Sequence, residues 1–112
     1  MAPEPTPDTL PELGFYTLAG QPRSSRDLVA EVADAEAMGL GHCFISERYN
    51  KKEAATLSGA VGAVSERITI STAATNHNTR HPMVTAGYAR TMQSLTGGRF
   101  VLGLGRGIPM MQ

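Results

Sequence analysis

The sequence predicts an α/β fold in which parallel strands alternate with helices. Four short apolar, β-prone runs begin near residues 13, 43, 68 and 99, at intervals of 30, 25 and 31 residues. Three segments with the helical spacing of apolar residues, each with a capping signal, lie between these runs. Such strict alternation is typical of βαβ units with right-handed crossovers, which place the strands in a parallel sheet.

A proline-rich leader precedes the first unit. Residues 1–12 contain four prolines, which are incompatible with a regular helix, so we expect a disordered, extended arm. The apolar run Leu13–Leu18, bounded by glycine and proline, is predicted to be a buried strand. We therefore expect one domain over residues 13–112.

The first predicted helix begins after this strand. Ser24, with Asp27 three residues later, matches a capping box. The expected apolar face of the helix is Leu28, Val32 and Ala35. Gly39 is expected to end the helix in the left-handed conformation, and Cys43–Ile45 is the second predicted strand, with the cysteine as a small core residue.

The second helix repeats this pattern. Asn50 with Glu53 forms another capping-box candidate. The expected apolar face is Ala54, Leu57, Val61 and Val64. Gly59 and Gly62 each cost about 1 kcal/mol relative to alanine in a helix, which close packing against a neighbour would offset. The third predicted strand is Ile68–Thr72.

The third helix has the clearest boundaries. His81 is expected to cap it, because Pro82 occupies the first helical position that tolerates proline. The expected apolar stripe is Val84, Tyr88 and Leu95. Gly97–Gly98 end the helix, and Phe100–Leu102 is the fourth predicted strand.

Two parallel architectures fit this order of elements, an open doubly wound sheet and a (β/α)8 barrel. An eight-unit barrel takes ~250 residues, so four strands at this spacing supply about half of one. In either case no helix follows the fourth strand. We therefore expect a truncated piece of a longer fold.

Composition excludes several classes of protein. Ten Lys+Arg balance ten Asp+Glu, so no excess positive charge attracts nucleic acid or an anionic membrane. One cysteine forms no intramolecular disulfide, and no apolar run approaches the ~20 residues of a membrane span. We expect a cytoplasmic protein with no nucleic-acid partner and no membrane partner.

Charge is nevertheless distributed unevenly. Residues 1–66 hold all ten acids and five bases, whereas residues 67–112 hold five arginines and no acid. One interpretation is an anion-binding second half. The other is that contacts with the first half, or with further sequence, balance these arginines.

Ligand sites of parallel α/β proteins form at the carboxyl ends of the strands. Glu47 lies at such an end and is a candidate proton donor or acceptor, provided that burial raises the pKa of its carboxyl group. The alternative is a solvent-exposed ion pair with Arg48. His77 and His81 have no acid or cysteine nearby, so no metal site is predicted. The loop Gly103–Gly107 lacks both the dinucleotide and the P-loop fingerprint.

The order of these segments resembles the N-terminal half of the luciferase-like oxidoreductases that use a flavin or coenzyme F420. The resemblance covers residues 13–107 and implies a TIM barrel, of which this chain supplies four parallel strands and three intervening helices. The motifs that carry it are Ala35–Leu40, Ile45–Glu47, Ser65–Ile68, Arg80–Pro82 and Leu95–Gly105.

The resemblance also implies an activity and a site. Members transfer a hydride through coenzyme F420 or FMN at the carboxyl-end face, and some are monooxygenases acting on a small-molecule substrate. Coenzyme F420 is preferred here because its anionic tail suits the arginine-bearing half. Glu47 matches an acidic position beside the cofactor and is the predicted catalytic residue. The predicted cofactor-binding residues are Ser46, Glu47, Thr72, Ala73, Ala74, Gly105, Arg106 and Gly107.

This chain departs from the family at one position, and the likeness implies one further feature. Relatives often carry histidine where this chain has Arg48, which keeps its charge and does not shuttle protons. A non-proline cis peptide bond is expected at Thr72–Ala73. The alternative function is a non-catalytic half-barrel, whose partner is a second copy or a missing C-terminal half.

Overall fold

The computed structural model describes residues 9–48 and 51–106. Within these ranges the chain forms three helices, one sheet of four strands and a second sheet of two. In chain order the elements are β1 (Leu10–Tyr16), α1 (Asp27–Ala37), β2 (Leu40–Ile45), α2 (Ala54–Val64), β3 (Thr69–Thr72), β4 (Thr75–Asn76), α3 (Pro82–Thr96), β5 (Phe100–Val101) and β6 (Leu104–Gly105). The predicted α/β class is confirmed.

The main sheet is parallel and its order is β1-β2-β3-β5. Cys43 of β2 lies in register between Phe15 and Ile70. A doubly wound sheet reverses its strand order at a switch point, whereas the described strands follow one another without reversal. This consecutive order is the one that a (β/α)8 barrel requires.

β1 differs from its prediction in position and in burial. It begins at Leu10, inside the stretch predicted to be a leader, and it contains Pro11. Proline is tolerated because β1 is an edge strand in the described sheet. Most of β1 is exposed, since the helices leave its side chains uncovered, and the expectation of a buried strand was wrong. Residues 1–8 lie outside the described residues.

The helix α1 has the predicted core face but not the predicted cap. Its buried residues are Leu28, Val32 and Ala35. The helix begins at Asp27, and the hydroxyl of Ser24 accepts the N–H of Arg26 instead of closing a capping box. Gly39 has a φ of +81°, as expected for the left-handed residue that follows the helix.

The helix α2 begins at Ala54, and its N-cap residue is Glu53. The carboxylate of Glu53 accepts the N–H groups of Ala55 and Thr56. Asn50, the predicted cap, lies outside the described residues. Ala54, Leu57 and Val61 are buried as predicted. Val64, the last residue of α2, is exposed, although Val61 in the same turn is buried.

The two glycines of α2 have different surroundings, which predicts unequal responses to alanine. A Cβ on Gly62 would lie 3.0–3.2 Å from side-chain atoms of α3, whereas a Cβ on Gly59 would meet nothing within 4 Å. We expect Gly59→Ala to raise the free energy of unfolding by about 0.5–1 kcal/mol. Gly62→Ala should gain less stability or lose some, because the contacting side chains of α3 must shift to admit the methyl group. Urea unfolding followed by circular dichroism measures both, and equal gains would contradict this packing.

The helix α3 has the predicted boundaries and a shifted core face. Nδ1 of His81 accepts the N–H of Met83 at 3.1 Å, and Gly97 ends the helix with a φ of +63°. The buried residues are Met92 and Thr96. The predicted stripe is only half-buried at Tyr88 and is exposed at Val84 and Leu95. The face of α3 that packs against α2 and β5 is centred on Met92 and Thr96, with Tyr88 and Leu95 at its margin. None of the described helices is both long and apolar enough to cross a bilayer.

Arg67, Arg80 and Arg99 of the second half make internal contacts. The guanidinium of Arg67 donates to the carbonyl oxygens of Leu40 and Glu36 at 3.2 and 3.0 Å. Arg99 donates to the carbonyl oxygen of Ile68 at 2.6 Å. Arg80 pairs with two glutamates of the first half. For these three arginines the charge asymmetry reflects contacts within the fold.

Candidate functional site

The carboxyl ends of the central strands meet in one place. β4 and β6 form a short parallel sheet beyond the main one, with Thr75 opposite Leu104 and Asn76 opposite Gly105. Glu47 follows β2 and contacts both residues of β4 through its carboxylate. Glu47 and Gly105 therefore lie at the same end of the sheet, as a shared site at that end requires.

The carboxylate of Glu47 is enclosed by hydrogen-bond donors. Its Oε1 accepts the N–H of Asn76 and the hydroxyl of Thr75, both at 2.7 Å. Its Oε2 accepts the N–H of Ala54 at 2.9 Å and Nη2 of Arg80 at 2.6 Å. The side chain is only 8% exposed. Both oxygens are thus occupied by groups from other elements.

These contacts hold Glu47 in its ionised form. Burial by itself raises the pKa of the carboxyl group, but hydrogen bonds from Arg80 and from the backbone of Ala54 and Asn76 outweigh it. The pKa is lowered to about 2. The condition for the predicted acid–base role, a raised pKa, is therefore not met. The catalytic role of Glu47 stays a prediction, and its contacts are those of a positioning residue.

The partner of Glu47 is Arg80 and not Arg48. Nη2 of Arg80 lies 2.6 Å from an oxygen of Glu47 and 2.6 Å from one of Glu53. The two acids raise the pKa of Arg80, so the guanidinium is fixed as a cation. This cluster, Glu47–Arg80–Glu53, joins the end of β2, the start of α2 and the loop before α3. The sequence analysis did not predict this cluster, although all three residues follow strands and were therefore expected near the carboxyl ends of the sheet.

The predicted residues after β3 lie together. The peptide bond between Ala73 and Ala74 is cis, one residue later than expected. The hydroxyl of Thr72 donates to the carbonyl oxygen of Gly103 at 2.9 Å and accepts its N–H at 2.7 Å. A Cβ on Gly105 would lie 3.2 Å from the Cβ of Ala74. Ala73, Ala74 and Gly105 thus form one surface, and Thr72 is buried next to it.

The remaining predicted cofactor-binding residues are more scattered. The hydroxyl of Ser46 lies 3.1 Å from Nζ of Lys52, on the side of the loop that follows β1. The carbonyl oxygen of Arg106 accepts a hydrogen bond from the side chain of Asn78. Gly107 lies outside the described residues. The N–H of Ala73 donates to the carbonyl oxygen of Ile45 at 2.7 Å, so the backbone before Ser46 lies beside Ala73, whereas the Ser46 hydroxyl contacts Lys52.

An apolar cavity adjoins this surface. Its volume is about 340 Å³. The residues that line it are His77, Pro82, Thr85, Ala86, Leu102 and Leu104. The N–H of His77 donates to the carbonyl oxygen of Gly105 at 3.2 Å, which connects the cavity wall to the predicted residues. The volume falls within the range of small-molecule sites. The sequence did not indicate this cavity, because its walls come from α3, from β6 and from the loops that precede them.

Metal and thiol chemistry find no support in the part of the chain that the structure describes. No group of three histidine, cysteine or acidic side chains there could hold a metal ion. Cys43 is fully buried, and burial raises the pKa of its thiol to about 12. Cys43 is the core residue that the sequence predicted.

The family can be assigned from comparison with known proteins. The model of the luciferase-like monooxygenases matches residues 9–112. The chain belongs to the luciferase-like monooxygenase family. Two curated relatives of this luciferase-like chain are the 5,10-methylenetetrahydromethanopterin reductases of Methanopyrus kandleri and Methanolobus tindarius, each 30% identical over 73 residues. Those residues are 65% of this chain but only 21% and 22% of the relatives.

Solved structures show the same fold for this luciferase-like chain. The coenzyme F420-dependent tetrahydromethanopterin reductase from Methanopyrus kandleri has a TM-score of 0.74 at 24% identity, over 88% of this chain and 28% of its own. The oxygenating constituent of 3,6-diketocamphane monooxygenase from Pseudomonas putida, in complex with FMN, also has a TM-score of 0.74 at 24% identity, over 85% and 29%. The luciferase-like chain spans less than a third of each.

Proposed function

We propose that the complete protein is an oxidoreductase that binds coenzyme F420 or FMN at the carboxyl-end face, where the residues described above form part of the cofactor site. The observation that carries this proposal is the juxtaposition of Thr72, Ala73, Ala74 and Gly105 with the apolar cavity. A bound flavin or deazaflavin supplies a ring that accepts or donates a hydride.

The residues present fit a flat, largely apolar ring. Leu102, Leu104 and Ala86 offer apolar walls, and the absence of a side chain at Gly105 lets Ala74 pack closely against its backbone beside them. Close approach of backbone to a ligand is a common reason for glycine. Glu47 also fixes the chain next to this surface. The hydroxyl of Thr75, which directly follows Ala73 and Ala74, donates to its carboxylate at 2.7 Å.

Coenzyme F420 remains the preferred cofactor, on a different basis. Arg67, Arg80 and Arg99 are engaged within the fold, so the arginine-bearing half is a weaker argument for an anionic tail. The support comes instead from the F420-dependent reductase among the solved structures and from the two reductases of the same pterin class among the curated relatives. The FMN-bound monooxygenase keeps FMN as the alternative.

Spectroscopic titration of the full-length protein tests the proposal. We expect saturable changes in absorbance or fluorescence when coenzyme F420 is added, and weaker or no changes with FMN. Binding of FMN alone would correct the cofactor and leave the oxidoreductase class standing. A protein that takes up neither cofactor would contradict the proposal.

Filling the apolar cavity should prevent cofactor binding. Ala86→Phe places a large ring in the cavity, so we expect the affinity for the bound cofactor to fall about tenfold or more, which is a loss of about 1.4 kcal/mol. Ala63→Phe is the matched control, because Ala63 is exposed on α2 and does not line the apolar cavity. Both variants are titrated with the same cofactor, and equal affinities would remove the cavity from the site.

The alternative function is a half-barrel that associates with itself or with a second half. It is supported by the two edges of the described sheet, β1 and β5, and by exposed apolar residues near them, such as Leu13 and Val101. Size-exclusion chromatography with light scattering distinguishes the alternatives for this 112-residue chain. A dimer without cofactor binding would favour the half-barrel, and a monomer would exclude self-association.

A further inference from the structure

A second, positively charged cavity opens between the loops that follow β1 and β2. Its volume is about 210 Å³, and it is lined by residues 20–25 together with three residues of the second loop. The lining includes four cationic side chains and no acidic one. The cations are Arg23, Arg48, Lys51 and Lys52.

Two of these cations tie the cavity walls together. Nη1 of Arg48 donates to the carbonyl oxygen of Gly20 at 2.8 Å. Nζ of Lys52 donates to the carbonyl oxygen of Leu18 at 3.3 Å and lies 3.1 Å from the hydroxyl of Ser46. Both residues therefore hold the loop after β2 against the loop after β1, and the cavity has a defined shape.

The hydrogen bonds described above between the two loops involve neither of the other two cations, Arg23 and Lys51. The ion pairs found among residues 9–48 and 51–106 both involve Arg80, so neither side chain is paired with a carboxylate of the described residues. Both are exposed at the cavity. Two cations fixed in the wall and two unpaired cations beside them leave the cavity with a strong positive potential.

Glu31 is the acid that acts on Lys52, and it does not outweigh the effects of burial and Arg48 on that lysine. Oε1 of Glu31 already accepts the hydroxyl of Thr17 at 2.6 Å and the N–H of Leu18 at 2.7 Å. Burial and the neighbouring Arg48 lower the pKa of Lys52, which outweighs the opposing influence of Glu31. Arg48 thus repels Lys52 across the cavity wall, and a bound anion would relieve that repulsion.

We propose that this cavity binds a phosphate-class oxyanion through Arg23 and Lys51. A volume of about 210 Å³ is below the range of sites for whole small molecules and suits a single oxyanion group. The planar guanidinium of Arg23 can pair with two oxygens, Lys51 supplies a point charge, and the hydroxyls of Ser24 and Ser25 lie in the same wall. The site is separate from the apolar cavity and does not depend on the proposed function.

Calorimetric titration with inorganic phosphate at about 0.1 M ionic strength, where distant surface charges are screened, tests this site in the full-length protein. The double variant Arg23→Gln/Lys51→Gln should weaken phosphate binding about tenfold or more. The double variant Arg26→Gln/Arg90→Gln removes the same net charge from exposed positions outside the cavity, and it should leave the affinity within about twofold. Absence of phosphate binding, or equal weakening by both double variants, would overturn the proposal.

Titration of the same variants with coenzyme F420 and FMN identifies the source of the oxyanion. If cofactor affinity falls together with phosphate affinity, the cavity holds the phosphate of the cofactor. If phosphate affinity falls alone, the cavity serves a separate phosphorylated ligand. Either result supports the site. The phosphate titration uses no cofactor, so its failure and the failure of the oxidoreductase proposal are told apart.

Discussion

Replacing Glu47 with alanine is expected to lower the free energy of unfolding by about 3–5 kcal/mol. The change leaves the guanidinium of Arg80, only 12% exposed, without its main partner. It also removes the acceptor for the N–H groups of Ala54 and Asn76 and for the hydroxyl of Thr75. A buried donor without an acceptor bears the full cost of its desolvation. Urea unfolding at neutral pH measures the loss.

Glu53→Ala is the matched control for this prediction. Glu53 bonds to the same arginine but is 52% exposed, so its ion pair is largely screened by water. Its loss should cost about 1 kcal/mol, mainly through the α2 cap. Glu47→Gln keeps an acceptor and should fall between the two, which preserves the test if the alanine variant does not fold. Equal losses for Glu47→Ala and Glu53→Ala would show that burial of Glu47 is not what makes it important.

Acidification should remove a comparable amount of stability. The pKa of Glu47 is lowered from 4.5 to about 2 in the folded chain. A group with a lowered folded-state pKa contributes stability above its unfolded-state pKa, and that contribution is lost as the pH falls toward the folded-state pKa. The shift corresponds to about 3 kcal/mol, which should disappear between about pH 5 and pH 2. Glu36, whose pKa is also lowered despite its burial, acts in the same direction through the N–H groups of Arg67, Glu66 and Ile68.

The variant Glu47→Gln isolates the contribution of Glu47 to this pH dependence. Glutamine does not titrate, so stability of the variant should fall less steeply over the same pH window. The difference between wild type and variant should shrink as the pH approaches 2. The free energy of unfolding is measured by urea titration at several pH values. Parallel curves for the two proteins would contradict the assignment of a lowered pKa to Glu47.

The elements of the fold could be predicted from local patterns. The spacing of Leu28, Val32 and Ala35 identified the buried face of α1, and His81 with Pro82 identified the start of α3. Each of these signals acts between residues a few positions apart. The cap of α2 was mispredicted, although it is also a local contact. The capping-box pattern assigned Glu53 a supporting role, whereas its carboxylate is the cap.

The candidate site was predictable only in part. Thr72, Ala73, Ala74 and Gly105 were assigned through the family likeness, and the fold brings them together. The ion pair of Glu47 was not, because its partner Arg80 is 33 positions away and a nearer arginine was available in sequence. The choice between two arginines depends on where the loop after β4 passes, which no local pattern encodes.

By itself, then, the sequence determined the alternation of strands and helices, the parallel sheet and the family of the chain. The alternation and the parallel sheet follow from periodicity, caps and turns, which depend on neighbouring residues, whereas the family follows from the resemblance of its motifs to a known family. Tertiary structure alone decided which charges meet. It placed three arginines of the acid-free half in internal contacts and left the unpaired cations Arg23 and Lys51 in the other half. Charge pairing is settled by strand register and helix packing across the sheet, over separations that a linear reading does not resolve.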